Sequence, residues 1–174
     1  MYAPKLRLEN KVAIITGAGC VGPGWGNGRA MAVRFAQEGA KVFAVDISLD
    51  AMVETENMIR EFGGDFTPYV ADVTNAESVQ SMVQACLERY ASVDILVNNV
   101  GGPAPGGPVA LSEAAFDAQI DLNLKSVFLT CKYVIPEGAS VGSAQGVARW
   151  NTRPAHRSEW RFQPPRPRGQ RESA

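Results

Sequence analysis

Thr16-Gly-Ala-Gly-Cys-Val-Gly-Pro-Gly-Trp-Gly-Asn-Gly28 is the stretch that decides how this chain folds. It follows directly on Lys11-Val-Ala-Ile-Ile-Thr16 and leads into Arg29 to Glu38, where Met31 and Phe35 stand four apart. A short apolar run ending in glycine has the form of a strand buried on both faces of a parallel sheet. An apolar spacing of four that stops at Gly39, a residue suited to the left-handed cap, predicts a helix. Glycines between such a strand and helix let the backbone turn tightly and approach a pyrophosphate, whose charge the free N–H groups and dipole of the helix end stabilise. The position of these glycines, more than their number, makes them a dinucleotide-binding signal.

Two registers compete within the loop. Gly17-x-Gly19-x-x-Gly22 fits the general fingerprint, but its helix would have to start through Pro23, Gly24, Gly26 and Gly28, a poor helical sequence. The preferred register places Gly26, Asn27 and Gly28 at the helix. Asp46 then falls 20 residues after Gly26, at the end of a second buried run, Lys41 to Asp46. A carboxylate there can accept hydrogen bonds from the adenosine ribose hydroxyls and would repel a 2′-phosphate, so NAD is expected rather than NADP.

The rhythm continues outward. Leu49 to Phe62 reads as an amphipathic helix ended by Gly63 and Gly64, and Phe66 to Ala71 as a third strand. Thr74-Asn-Ala-Glu77 has the form of a capping box and predicts a helix to about Tyr90; Asp94 to Asn98 is a fourth strand. Asn99 to Pro108 is a Gly/Pro-rich loop, and Leu111 to about Val134 is a helix that Pro136 ends. Strands alternating with helices imply a Rossmann-type, doubly wound parallel α/β sheet with right-handed crossovers.

Composition narrows the function classes. The 174 residues suit one domain, and 45% hydrophobic residues suffice for a core. A formal net charge of -1 argues against nucleic acid or an acidic membrane surface as partner. Cys20, Cys86 and Cys131 form neither a disulfide framework nor a zinc-ligand spacing, so no metal site and a reducing cytoplasm are expected. No apolar run approaches the length of a membrane span, and the first residues carry no targeting pattern.

Taken in order, Thr16-Gly17 through Gly26-x-Gly28, Asp46, Asp72-Val73, Asn98-Asn99-Val100-Gly101 and Asn123 resemble the short-chain dehydrogenase/reductase family over residues 8 to 136. The resemblance implies that Gly17, Gly26, Asn27 and Gly28 hold the cofactor phosphates. It further implies that Asp46 and Ile47 meet the adenosine ribose, that Asp72 and Val73 contact the adenine, and that Asn98, Val100 and Gly101 support the sheet and the cofactor ribose. Asn123 would belong to the catalytic tetrad. The implied reaction is hydride transfer between a nicotinamide dinucleotide and a small alcohol or ketone, and a homo-oligomer is a further expectation.

Three departures stand out. Eight residues, Ala18 to Trp25, separate the first two glycines of the motif where the family has three, and Val100 replaces the usual Ala. The third is chemical. The family's acid/base is a Tyr whose pKa is lowered by a Lys four residues on, beside a substrate-positioning Ser; a phenol near pKa 10 is otherwise useless as a base at neutral pH. Here the last Tyr is Tyr133 and the last Lys is Lys132, and no Tyr-x-x-x-Lys occurs.

Beyond Pro136 the composition shifts. Seven of the twelve arginines lie there, at 149, 153, 157, 161, 166, 168 and 171, while every lysine lies at or before Lys132. The expectation is a dinucleotide-binding domain over 1–136, truncated after the helix that follows the fourth strand, and a disordered basic tail over 137–174, out-of-frame or cut short in origin. Ser140 and Ser143 would sit in glycine-rich coil and the fourth strand would be an open edge. Such a chain is a catalytically impaired oxidoreductase, with a non-catalytic NAD-binding or interaction module, or a poorly folding product, as alternatives.

Overall fold

Five short strands, β1 (Val12–Thr16), β2 (Lys41–Asp46), β3 (Phe66–Val70), β4 (Ile95–Asn98) and β5 (Ser140–Ser143), form one sheet in the order β3-β2-β1-β4-β5. All four pairings are parallel. The structure, a computed structural model, describes residues 6–22 and 24–143. β1 lies at the centre and every one of its residues is buried, as its unbroken apolar run requires. Alternate side chains serve opposite faces. Val12 and Ile14 join Phe43, Val79, Met82, Leu96 and Leu129 in one core cluster, whereas Ala13 and Ile15 join Ala32, Val33, Val42, Met52 and Ile59 in the other.

The helices follow from these faces. α1 (Asn27–Gln37) and α2 (Leu49–Glu61) supply the second cluster, while α3 (Ala76–Tyr90) and α5 (Ser126–Val134) supply the first. α1 begins at Asn27 with Gly26 as its N-cap, so the helix does not start behind Gly22. The α3 cap is a correction: Asn75, not Thr74, accepts from the Ser78 amide at 2.9 Å. Thr74 is drawn instead to Asp72, whose Oδ1 accepts from its amide at 2.9 Å and its hydroxyl at 2.7 Å. The helix expected as one piece over 111–134 is α4 (Glu113–Ile120) and α5 joined by a π turn, Asp121–Lys125, and a 3-10 turn over Ile135–Glu137 follows.

The sheet does not stop at β4. Residues 140–143, expected as coil, are β5, which pairs with β4 from Ile95↔Ser140 to Asn98↔Ser143. β4 is therefore not the open edge that the sequence suggested. The strand has little apolar signal because it lies at the end of the sheet: only Val141 joins the core cluster, and Ser140 enters the ladder by donating to the Asp94 carbonyl at 2.8 Å. The remainder of the expected tail, 144–174, lies outside the described residues.

Asp94 pins the start of β4 to β1. Its carboxylate accepts from Lys11 Nζ at 2.8 Å and from the Val12 amide at 3.0 Å. Partial burial works against the charge, but these two donors outweigh it and hold the carboxyl below its ordinary range. On the outside of the α4–α5 helix, Phe116, Ile120, Leu124 and Phe128 recur every four residues and are 40–61% exposed. Among the described residues no helix is long and apolar enough to cross a membrane.

Because Val141 is 9% exposed and Val109 is fully exposed, Val141→Asn should cost about 1–3 kcal/mol by leaving an amide in the core. Val109→Asn should stay within about 0.5 kcal/mol. Urea unfolding of both variants checks this, and equal midpoints would return 140–143 to coil.

Candidate functional site

In a parallel sheet all strands end on one side, and where neighbouring connections run in opposite directions their loops part to leave a crevice. Here that point is β1, flanked by β2 and β4. A cleft of about 500 Å³ opens at these strand ends. Gly17, Gly26, Asn27 and Gly28 line it from the loop and the start of α1, Asp46 and Ile47 from the end of β2, Asp72 and Val73 from beyond β3, and Val100 and Gly101 from beyond β4.

The glycines are required by contact. A Cβ on Gly28 would stand 1.7 Å from the Gly17 carbonyl oxygen, and one on Gly19 would stand 2.7 Å from Ala51 Cβ. Gly17 turns with φ +62°, in the left-handed region. The α1 N-cap is a glycine and no side chain caps the helix, which leaves first-turn amides to face the cleft. Such a helix end can receive an anion. Asp46 is held beside it: its Oδ2 accepts from the Gly19 amide at 3.0 Å and its Oδ1 from the Ser48 amide at 3.3 Å. Ile47, Ala71 and Val73 supply apolar surface between the two acids. A dinucleotide's pattern of pyrophosphate, ribose diol and flat base fits this sequence of amides, carboxylate and apolar wall. Trp25, 65% exposed, does not fill the cleft.

Two expected residues lie elsewhere. Asn98 is buried: its Oδ1 accepts from Thr130 Oγ1 at 2.6 Å and its Nδ2 donates to Cys131 Sγ at 3.6 Å. It fastens β4 to α5, and the asparagine that lines the cleft is Asn99, which donates to the Gly17 carbonyl at 2.9 Å. Strand alternation carries this distinction, since neighbours at a strand end face opposite ways. Asn123, in the π turn, accepts from the Gly102 amide at 3.0 Å and donates to the Gly102 carbonyl at 3.1 Å. It steadies the loop after β4 and is not among the lining residues, although Leu122 is. Gly19, named only in the register that was not preferred, lines the cleft, and so do Cys20, Val21, Ala71 and Thr74, which the sequence did not assign to the site.

None of the described tyrosines, Tyr69, Tyr90 and Tyr133, lines the cleft. Burial pushes the Tyr90 hydroxyl up to about 12; its partners are Thr67 and Asp65, each at 2.8 Å, at the opposite edge of the sheet. Tyr133 packs against the core from α5. Burial likewise raises the Cys131 thiol, against the pull of the Asn98 amide.

A family model described as short chain dehydrogenase matches residues 11–147. Among curated proteins, the 3-oxoacyl-(acyl-carrier-protein) reductase of Thermotoga maritima is 37% identical over 131 residues, 75% of this chain and 51% of the relative. A crystal structure of a short-chain dehydrogenase/reductase from Burkholderia xenovorans is 54% identical with a TM-score of 0.77, covering 79% of this chain and 56% of that one. An NADH-dependent reductase, A1-R′, responsible for alginate metabolism, is 32% identical with a TM-score of 0.66, covering 75% and 52%. The chain thus spans about half the length of the curated relatives it matches.

Gly28→Ala must displace the Gly17 carbonyl and should cost about 1–3 kcal/mol or more. Gly107→Ala meets nothing within 4 Å and should leave the thermal midpoint within a degree or two, roughly the span of ordinary surface changes. Calorimetric melting of the two variants decides, and equal midpoints would show that the close approach is absent.

Proposed function

The chain belongs to the short-chain dehydrogenase family, and from that premise we propose that its cleft holds NAD, with the pyrophosphate at the α1 N-terminus and the adenosine ribose on Asp46. When bound, the nicotinamide supplies or accepts the hydride exchanged with a small alcohol or ketone. The observation that carries the reading is the juxtaposition of an uncapped helix end with a carboxylate one strand away, oriented by two backbone amides. NAD rather than NADP follows from charge. Asp46 repels a 2′-phosphate, and among the described residues no lysine or arginine lines the cleft to receive one. One of the similar structures is, by its own title, an NADH-dependent reductase.

The reading extends to binding without turnover by these 174 residues. No Tyr stands four residues before a Lys, and the tyrosines in the structure are spent on packing or held protonated. Asn123 holds Gly102, and its amide cannot take the place of an acid/base. Free cysteines at 20, 86 and 131 suit a reducing compartment such as the cytoplasm. The stripe of Phe116, Ile120, Leu124 and Phe128 favours a homo-oligomer, since contiguous apolar surface of this kind marks interfaces.

Calorimetry should show NAD binding at least about tenfold more tightly than NADP, with Asp46→Ser narrowing the gap, as the loss of one charged contact implies. Equal affinity for both cofactors would remove the specificity argument, and nicotinamide absorbance changes with any alcohol or ketone would remove the argument against turnover. Leu124→Lys with Phe128→Glu should shift the sedimentation coefficient to that of a monomer. An unchanged coefficient would take the interface off this helix.

A further inference from the structure

The loop Ala18 to Trp25 poses a problem of order. Gly22 and Gly24 have φ of +137° and +105°, and nothing lies within 4 Å of where their side chains would be. A cradle this free would have to be immobilised each time a ligand bound, at a cost to affinity. Its first half is held by backbone bonds, Ala18 N–H to the Val45 carbonyl and Cys20 N–H to the Ala51 carbonyl, both at 3.1 Å. The second half is held differently.

Arg29, in the first turn of α1, is 2% exposed. Its Nε donates to Thr55 Oγ1 at 3.2 Å, its Nη1 donates to the Gly24 carbonyl, and Nη1 lies 2.6 Å from Glu54 Oε2. Thr55, fully buried on α2, donates its own hydroxyl to the Ala18 carbonyl at 3.2 Å. The hydroxyl thus accepts once and donates once. The two ends of the long loop, Ala18 and Gly24, are tied through one buried pair of side chains to the helix opposite. Neither Arg29 nor Thr55 lines the cleft. A guanidinium taken out of water is costly, and a position with only a packing role would carry an apolar residue instead.

We infer that Arg29 and Thr55 are positioning residues that set the shape of the phosphate-facing side of the cleft, so that the grip on the pyrophosphate depends on side chains that never touch it. The inference rests on the proposal that the cleft holds a dinucleotide. It concerns the pyrophosphate first, because Asp46, at the end of β2, and Asp72, beyond β3, make no bond to Arg29 or Thr55. A lysine could not replace the arginine, since a single ammonium lacks the planar fork that serves Thr55, Gly24 and Glu54 together.

The test uses the full chain. Thr55→Val keeps the volume and deletes both hydroxyl bonds; Arg29→Lys keeps the charge and loses the fork. In a background carrying Trp150→Phe and Trp160→Phe, Trp25 is the single tryptophan of the three, and acrylamide quenching then reports the loop directly. Both variants should weaken NAD by about tenfold, the effect of one or two lost hydrogen bonds, leave adenosine affinity unchanged, and raise the quenching of Trp25. A parallel loss for NAD and adenosine would mean general loosening and overturn the inference, as would unchanged NAD affinity. Should the unsubstituted chain bind neither ligand, the cofactor proposal fails first. Quenching of Trp25 unaltered by Thr55→Val would then overturn the tie as well, whereas increased quenching would support it as loop architecture.

Discussion

The packing of Gly28 against the carbonyl of Gly17 is the constraint on which the rest of this structure depends. With no side chain between them, the first turn of α1 rests on the end of β1, where a methyl group would need to occupy a position 1.7 Å from an oxygen atom. The same carbonyl accepts from Asn99 at 2.9 Å, and the neighbouring Thr16 hydroxyl accepts from the Asn99 amide at 3.1 Å. One peptide therefore joins a strand, a helix and the loop after β4. Everything that lines the cleft is placed relative to it.

Around that junction the charges are arranged by backbone and not by cationic side chains. The positive end is a helix terminus that no side chain caps, and a helix end attracts an anion through partial charges spread over several amides. The negative groups, Asp46 and Asp72, are each oriented by hydrogen bonds from residues two positions further along the chain. Under the proposed function a pyrophosphate at one end and ribose hydroxyls at the other would satisfy both, with no lysine or arginine among the described lining residues. The buried cation that is present, Arg29, is turned away toward α2, where it organises the loop.

The half of the sheet around β4 is assembled by polar ties of a different kind. Asn98 reaches Thr130 and Cys131, Asn123 reaches Gly102, and Asp94 holds Lys11 and Val12. These bonds run between segments far apart in the chain, so that helix α5 and strand β5 keep β4 covered on its face and its edge. The apolar stripe on the outside of the same helix has no such cover within the described chain.

By itself the sequence determined the strands β1 to β4, the helices between them and the loop at which α1 begins, because unbroken apolar runs, four-residue spacing and glycine at a strand–helix junction are local consequences of burial and backbone geometry. Asp46 was legible for the same reason, standing where a buried strand ends, whereas Asp72 was legible through the family resemblance alone. Only the tertiary structure decided the remainder. β5 carries one core side chain and is a strand by virtue of its partner's hydrogen bonds; Asn98 and Asn99 part ways because the strand's pleat sends neighbours to opposite faces; Asn75 takes the cap because Asp72 draws Thr74 away. Arg29 is buried because Thr55, Glu54 and Gly24 wait for it on other segments. Each of these is a choice among partners brought together by folding, and a partner's distance in space is the one thing that spacing along a chain does not contain.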